Sequence, residues 1–354
     1  MEKRATLPCV KAEKRRGEAT RRALKDLKLL RTDVRISTTA NFIYLPLIRG
    51  LNETERVEIE ALDVSIREFE LLEQRRSIEE LVGSKPSFEI VGDIAVLTGD
   101  VANEQLMAEA IMNLHKSIKV VVKRESHVEG VFRNRRLKII AGENRTETVH
   151  KENGCKYRLD LERVYFNPRL ARERSRVALL VPQAGIEEII DMFAGVGSFS
   201  IQIAKRARQS RITAIDINPE AVKYLRQNIK LNGVRNIDAI EGDIRGVYVR
   251  FINRADRIIM NLPKSAYLFL DLALSMLKPE VGIIHFYALE SSYSDTVRAE
   301  ERHKAAINKA KAKLAALCAQ HEIPLDIQNA RKVKDYAPYA YIIGIDAVIR
   351  KRRI

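Results

Sequence analysis

Tryptophan is absent from this chain of 354 residues, aromatic residues make up only 6%, and cysteine occurs three times. Cys9, Cys155 and Cys318 lie far apart, with no C-x-x-C spacing and no paired histidine. That argues against a disulfide framework and against a zinc site, and for a reducing compartment. No apolar run is long enough to span a bilayer. The opening MEKRATLPCVKAEKRRGEATRR has no apolar core of the kind a secretory signal needs. The expectation is a cytoplasmic, monomeric protein with no metal centre and no membrane partner.

What the chain has in excess is positive charge: 62 Lys and Arg against 47 Asp and Glu, a net +15 and an isoelectric point near 9.7. The excess is clustered. Residues 1–35 hold twelve basic against five acidic side chains, and residues 123–176 hold fifteen against eight. Clustering of this kind favours a polyanion-binding face over an evenly solvated surface. Residues 1–35 contain no aromatic residue and residues 123–176 only four against fifteen basic ones, so phosphate contact is expected of them before base stacking.

Periodicity divides the chain into three parts, 1–70, 71–172 and 173–354. In the first, LPCVKA reads as a strand and GEATRRALKDLKLL as an amphipathic helix, with Ala19, Ala23, Leu24, Leu27 and Leu30 on one face. VRIS and FIYLPL then make a hairpin around TTAN, and residues 49–85 read as a charged linker with one helical piece. The second part offers paired strands in FEIVGDIAVLTG, a helix in NEQLMAEAIMNLHKSI, a strand in IKVVVK, and alternating runs that turn at Asn153-Gly154. The third alternates strand and helix from about residue 171, which predicts a doubly wound, mostly parallel sheet. A long helix over 293–321 and two closing strands with no helix between them predict an antiparallel edge. The fold class expected is therefore α/β and Rossmann-like, preceded by two smaller α+β domains.

Chemistry concentrates where strands of the third part end. DMFAGVGSFS, residues 191–200, marks a strand giving way to a helix, with Gly195 and Gly197 free to approach a ligand closely. A dinucleotide fingerprint would want glycine or alanine where Ser200 stands. Asp216 closes the next strand, 25 residues after Asp191, where a carboxylate can hold both hydroxyls of a ribose, and Asp243 closes the third. This set fits S-adenosylmethionine better than NAD. In IIMNLPKSAYLFL, residues 258–270, a buried strand breaks off at Asn261 with Pro263 behind it. A polar amide at the carboxyl end of such a strand faces whatever binds there.

These motifs carry a resemblance. D-x-F-A-G-x-G, A-I-D-I-N-P, E-G-D and N-L-P-K-S-A, with AGENRT, HKENG and YFNPRLARERSR upstream and LPCVK near the start, resemble the archaeal-type tRNA (guanine37-N1)-methyltransferases over almost the whole chain. The resemblance implies a class I S-adenosylmethionine-dependent fold and formation of 1-methylguanosine at position 37 of tRNA. It implies a small N-terminal domain that reads the tRNA body and two further domains that hold the anticodon loop. Guanine N1 carries a proton, so methyl transfer needs a base, and charge then builds on O6. The family motifs imply Glu173 as base, Arg133 as O6 partner, Asn261 as the guanine holder and Pro263 as the residue that fixes the turn. They imply Tyr165, Arg174, Asp191, Phe193, Gly195, Gly197, Asp216, Ile217, Asp243 and Asn261 as the cofactor set. An ion pair of Glu173 with Arg169 or Arg176 is the competing reading of that carboxylate. Asn144 and Arg145 are left between structural and phosphate-binding roles, Tyr287 between pocket wall and strand end, and His150 and His285 are read as structural. Two other functions share these motifs: a wyosine-pathway methyltransferase on an imidazopurine at the same position, and an RNA-binding protein without activity.

The charge distribution makes a prediction of its own. Affinity for tRNA should fall steeply with salt, each phosphate contact adding about 0.7–0.9 to the slope of log K against log salt. Titrations at several salt concentrations measure it, and a flat line would reduce both basic stretches to solvation.

Overall fold

The strand expected at LPCVKA extends over Arg4–Glu13 (β1) in the computed structural model, which describes residues 4–59, 63–71, 77–83, 87–99, 103–125, 136–293 and 298–350. β1 is the centre of a unit spanning Met1–Leu81. The helix Gly17–Asp26 (α1) follows it, then Ser37–Thr38 (β2) and Phe42–Pro46 (β3) form the expected hairpin. Leu24 of α1 packs on Val10, Leu45 and Leu47, which is the buried side of the predicted amphipathic face. Gly17 admits the helix against the sheet, because a Cβ there would stand 2.8 Å from Ile43 Cγ2.

The linker expected over residues 49–85 is not one. Glu53–Glu58 (α2) begins with a capping box between Asn52 and Glu55. Asp63–Glu70 (β4) then pairs antiparallel with β1 from Arg4↔Glu70 to Lys11↔Asp63, closing a sheet of order β2-β3-β1-β4. DVSIREFE hides this strand because its apolar residues fall on both faces: Ile66 is exposed while Phe69 is buried. An edge strand held by backbone pairing needs no period-2 hydrophobic pattern. Ile78–Val82 (α3) ends this stretch.

The second unit spans Val82–Ile354. Phe88–Val91 (β5) and Ile94–Leu97 (β6) form a hairpin, Glu104–Leu114 (α4) crosses over, and Val120–Arg124 (β7) returns parallel to β6. Leu137–Gly142 (β8) completes a four-stranded sheet. Glu147–Glu152 (β9) and Cys155–Asp160 (β10) pair across Asn153-Gly154, whose φ values of 45° and 72° are those of a type I′ turn. The inward side of β10, Cys155, Tyr157 and Leu159, shares one core with β6, β7 and residues of the following helices. The boundary expected at 172/173 falls inside a helix, Ala171–Leu180 (α5), that the sequence reading had not marked.

The rest is the doubly wound sheet. Its elements are Glu188–Asp191 (β11), Ser198–Arg206 (α6), Arg211–Asp216 (β12), Pro219–Leu231 (α7), Ile237–Glu241 (β13), Ile244–Val247 (α8) and Arg257–Met260 (β14). Leu270–Met276 (α9), Gly282–Ser291 (β15), Ala299–Gln320 (α10), Leu325–Ala337 (β16) and Ala340–Ile349 (β17) follow. The strand order is β13-β12-β11-β14-β15-β17-β16, with β11 to β15 parallel and β16 and β17 antiparallel at the edge. Both faces are covered. Ile189 and Ile259 join a core with α5 and α6, while Ile190, Ile258 and Met260 join one with α9 and α10. Strand order reverses between β11 and β14, the switch point at which ligands bind in open α/β sheets.

Because each unit has its own buried core, a chain reduced to residues 82–354 should unfold in one cooperative calorimetric transition. A broad, non-cooperative trace would show that the N-terminal sheet is needed for the second unit to fold.

Candidate active site

The turn after β11 makes the floor of a cavity at that switch point. Gly195 sits at φ 55°, and its amide donates to Asp216 Oδ2 at 2.7 Å, tying the turn to the end of β12. Asp216 Oδ1 accepts from the Asn218 amide at 2.9 Å, so the carboxylate is fixed at the cavity edge. Gly197 serves packing. It opens α6 at φ 87°, where a Cβ would meet Leu225 Cδ1 at 2.4 Å, and it does not line the cavity.

The walls are a flat apolar slot with polar ends. Phe193 and Phe269 meet edge to face at 5.2 Å, and Ile217 and Ile244 complete that side. Asp243 caps α8 by accepting from the Arg245 amide at 2.9 Å and pairs with the Arg245 guanidinium, whose hydrogen bond holds the carboxyl below its usual range. Asn261 and Leu262 reach the cavity from the end of β14. Pro263 is buried behind them, its carbonyl accepting from the Leu289 amide at 2.8 Å, which stitches the NLP turn to β15.

Tyr165, Asn167 and Arg174 form the opposite wall. Arg174 is 1% exposed and forks onto Glu152, with Nε–Oε1 at 2.6 Å and Nη2–Oε2 at 2.5 Å. It also donates to the Asn167 carbonyl and lies over the Phe166 ring. Of the ten residues expected around the cofactor, eight line the cavity; Asp191 and Gly197 do not. Sequence reasoning missed Phe269, Arg245 and Asn167. Asn167 was within reach, since it stands in YFNPRL, but nothing local marks Phe269, which tertiary packing brings to Phe193.

Asp191 lies beneath the floor, 1% exposed, accepting from Ser200 Oγ at 2.7 Å, while its Oδ1 is buried with no hydrogen-bond partner. Burial pushes its pKa up to about 7 against the pull of the Ser200 hydroxyl. Ser200, which broke the dinucleotide pattern, is therefore the partner of the acid that opens the motif.

Glu173 also lies outside the cavity lining, on the inward side of α5 and 7% exposed. It takes hydrogen bonds from Arg176 (3.0 and 2.9 Å), Arg331 and Tyr287 Oη (2.7 Å). Burial would raise its pKa, but Arg176, Arg331 and Tyr287 together bring it down to about 2. Both arginines also hold Asp346, at 2.9 and 2.8 Å, and Asp346 binds His285 Nδ1. The i,i+3 pair with Arg176 is thus present, and Tyr287 belongs to this cluster rather than to the cavity wall. His285 is buried between Asp346 and Arg257, and His150 accepts from the Gly92 amide. Arg145 is paired with Asp93 and Glu143. Arg133 lies outside the described residues. Among the described residues, no cluster of three metal-ligating side chains occurs and no helix is long and apolar enough to cross a membrane.

A glycine turn after the first strand, acids closing the second and third, and an aromatic slot between them define a class I methyltransferase cofactor site. The comparisons agree over most of the chain. Residues 148–315 match the TRM5/TYW2 methyltransferase domain, 69–146 the TYW2 N-terminal domain and 9–55 the tRNA methyltransferase 5 N-terminal domain. The tRNA (guanine(37)-N(1))-methyltransferase Trm5b of Pyrococcus abyssi is 40% identical over 95% of this chain and 97% of its own. The solved complex of aTrm5 with tRNALeu superposes with a TM-score of 0.65 at 33% identity, over 96% of this chain and 99% of that one. The AdoMet complex of Methanocaldococcus jannaschii TYW2 gives 0.56 at 27% identity, over 75% of this chain and 100% of that one. This chain belongs to the TRM5/TYW2 methyltransferase family.

The buried acid makes a pH prediction. Its folded pKa of about 7 exceeds the unfolded 3.8, so the folded state binds the extra proton and Asp191 costs stability as pH rises through that window. Asp191→Asn keeps an acceptor for Ser200 and removes the charge. Thermal melts at pH 5 and 8 should show the variant gaining on the wild type at pH 8, by about 2–4 °C for each kcal/mol recovered. A variant that loses ground at pH 8 would mean that the ionised carboxylate stabilises the fold and that burial does not raise its pKa.

Proposed function

We propose that this chain transfers a methyl group from S-adenosylmethionine to N1 of guanine 37 in tRNA. One observation carries the reading: a near full-length match to enzymes of that activity coincides with a switch-point cavity whose residues suit the cofactor. The cavity's fit is chemical. Asp216 presents a carboxylate for ribose hydroxyls, Phe193, Ile217, Ile244 and Phe269 suit a flat purine, and Asp243 and Asn261 are polar at its ends. Bound there, S-adenosylmethionine supplies a methyl group on a sulfonium, an electrophile that needs no further activation. The three buried, unpaired cysteines suit work in the reducing cytoplasm, and we read the active form as a single chain that holds the anticodon loop.

The work left to this chain is to hold guanine, remove the N1 proton and oppose charge on O6. Asn261, at the cavity with its turn fixed by Pro263, is assigned to the guanine edge. Glu173 is assigned as the base. Fully ionised but clamped by Arg176 and Arg331, it takes a proton only after one of those pairs opens. Asp346 makes that opening tolerable, since it keeps both arginines paired while Glu173 turns away. Arg133 is assigned to O6 on the family motif alone.

Nucleoside mass spectrometry after incubation with S-adenosylmethionine and unmodified tRNA tests the activity. Guanosine at position 37 should become 1-methylguanosine, and a tRNA with no mass gain overturns the reading. Glu173→Gln should then slow single-turnover transfer by roughly 10²–10⁴, with both affinities little changed. Arg331→Gln separates a base from a structural ion pair. Removing the cation that holds Glu173 down raises the pKa of the base, so the acid-side fall in rate should begin at higher pH. If Glu173→Gln transfers at the wild-type rate, Glu173 only braces α5.

A further inference from the structure

Residues 1–35 contain no aromatic side chain, and Tyr157, Tyr165 and Phe166 of the second basic stretch are buried or line the candidate active site, so exposed rings among the described residues must be sought elsewhere. Tyr293 stands just after β15, and Tyr336 and Tyr339 stand 43 and 46 residues further on, at the β16–β17 turn, where Ser291 pairs with Ala340. Tyr293 is 79% exposed and Tyr336 is 43% exposed, in a chain with few aromatic residues to spare. Tyr293 and Tyr339 face each other at 6.0 Å, tilted by 43°, and the Arg302 guanidinium stands 5.1 Å over the Tyr339 ring. Lys264 Nζ lies 5.3 Å over the Tyr336 ring.

Two connections join these rings to the candidate active site. Lys264 follows Asn261 by three residues, in the same turn that reaches the cavity. The Ser292 amide donates to the Tyr339 carbonyl at 3.0 Å, and the Leu289 amide of the same strand to Pro263. The hairpin, the end of β15 and the NLP turn are therefore one hydrogen-bonded assembly.

The hairpin turn adds an independent sign. Ala337 pairs with Ala340, leaving Pro338 and Tyr339 as the two turn residues. Proline first and positive φ second is the type II pattern, and the second place normally falls to glycine or asparagine. Tyr339 holds it at φ 58°. A bulky aromatic in the left-handed region is strained, and strain of this kind collects at functional sites.

We propose that Tyr293, Tyr336 and Tyr339, with Lys264 and Arg302, form a platform on which the unpaired nucleotides flanking the target guanine stack. The inference rests on the tRNA reading above and deepens it. Drawing guanine into the cavity leaves its neighbours unstacked, and aromatic faces backed by cations hold such bases with little sequence preference.

The test uses the full chain, tRNA at fixed salt, and a fluorescent purine analogue placed beside position 37. Tyr293→Ala combined with Tyr339→Gly removes two rings and relieves the turn. If the platform holds RNA, the Kd for tRNA rises roughly 5–150-fold and stacking quench of the analogue is lost. S-adenosylmethionine affinity should not change, and thermal stability should hold or rise. If the rings only pin the hairpin, the variant melts earlier while binding and quench stay at wild-type values, which overturns the platform and leaves the activity standing. A wild-type protein that methylates no tRNA overturns the activity, and the platform falls with it.

Discussion

Glu152 is the group on which the second unit turns. It is buried at the end of β9, forked by Arg174 of α5, bonded by Gln202 of α6 at 2.7 Å and approached by His150 at 3.3 Å. Burial works against its charge, but His150 and Arg174 hold the carboxyl below its usual range. Removing one partner of such a pair strands a charge in the interior, at a cost of about 3–5 kcal/mol. The same arginine lines the cavity beside Tyr165 and Asn167. This ion pair ties the hairpin, the helix and the cofactor wall together, beside the apolar core that residues 82–172 share with α6 and α7.

The neighbouring residue on α5 makes the opposite use of charge. Arg174 is locked by a single carboxylate, whereas Arg176 and Arg331 are shared between two, Glu173 and Asp346. A cation with one carboxylate is a brace. A cation with two carboxylates can lose one without being stranded, which is what a carboxylate needs if it is to leave its partners during a reaction. Desolvation makes both arrangements costly to break completely, so the difference between them lies in how many partners remain.

Recognition of RNA divides along similar lines. Charge in the two basic stretches suits the evenly spaced phosphates of a folded RNA and carries no sequence information. The platform proposed for bases drawn out of their stack combines rings and cations from positions separated by up to 75 residues, from Lys264 to Tyr339. No local pattern would collect them.

Much of the fold was legible because it follows from periodicity and backbone chemistry. The α/β alternation, the Asn153-Gly154 turn, the glycine turn after β11 and the acids closing β12 and β13 each depend on residues near one another in sequence. The edge strand β4 was not legible, since backbone pairing to β1 sets it without help from side-chain alternation. Neither was α5, whose buried face mixes Glu173 and Arg174 with Val177 and Ala178, so a hydrophobic pattern registers only half of it. For the site, the sequence by itself determined the motif residues and hence the kind of cofactor and reaction. Only the tertiary structure decided which of them face the cavity: it set Asp191 below the floor with Ser200, gave Gly197 to packing, and brought Phe269 to Phe193. The physical reason is that a motif dictates local backbone shape, whereas burial, pairing and pKa depend on neighbours from distant strands.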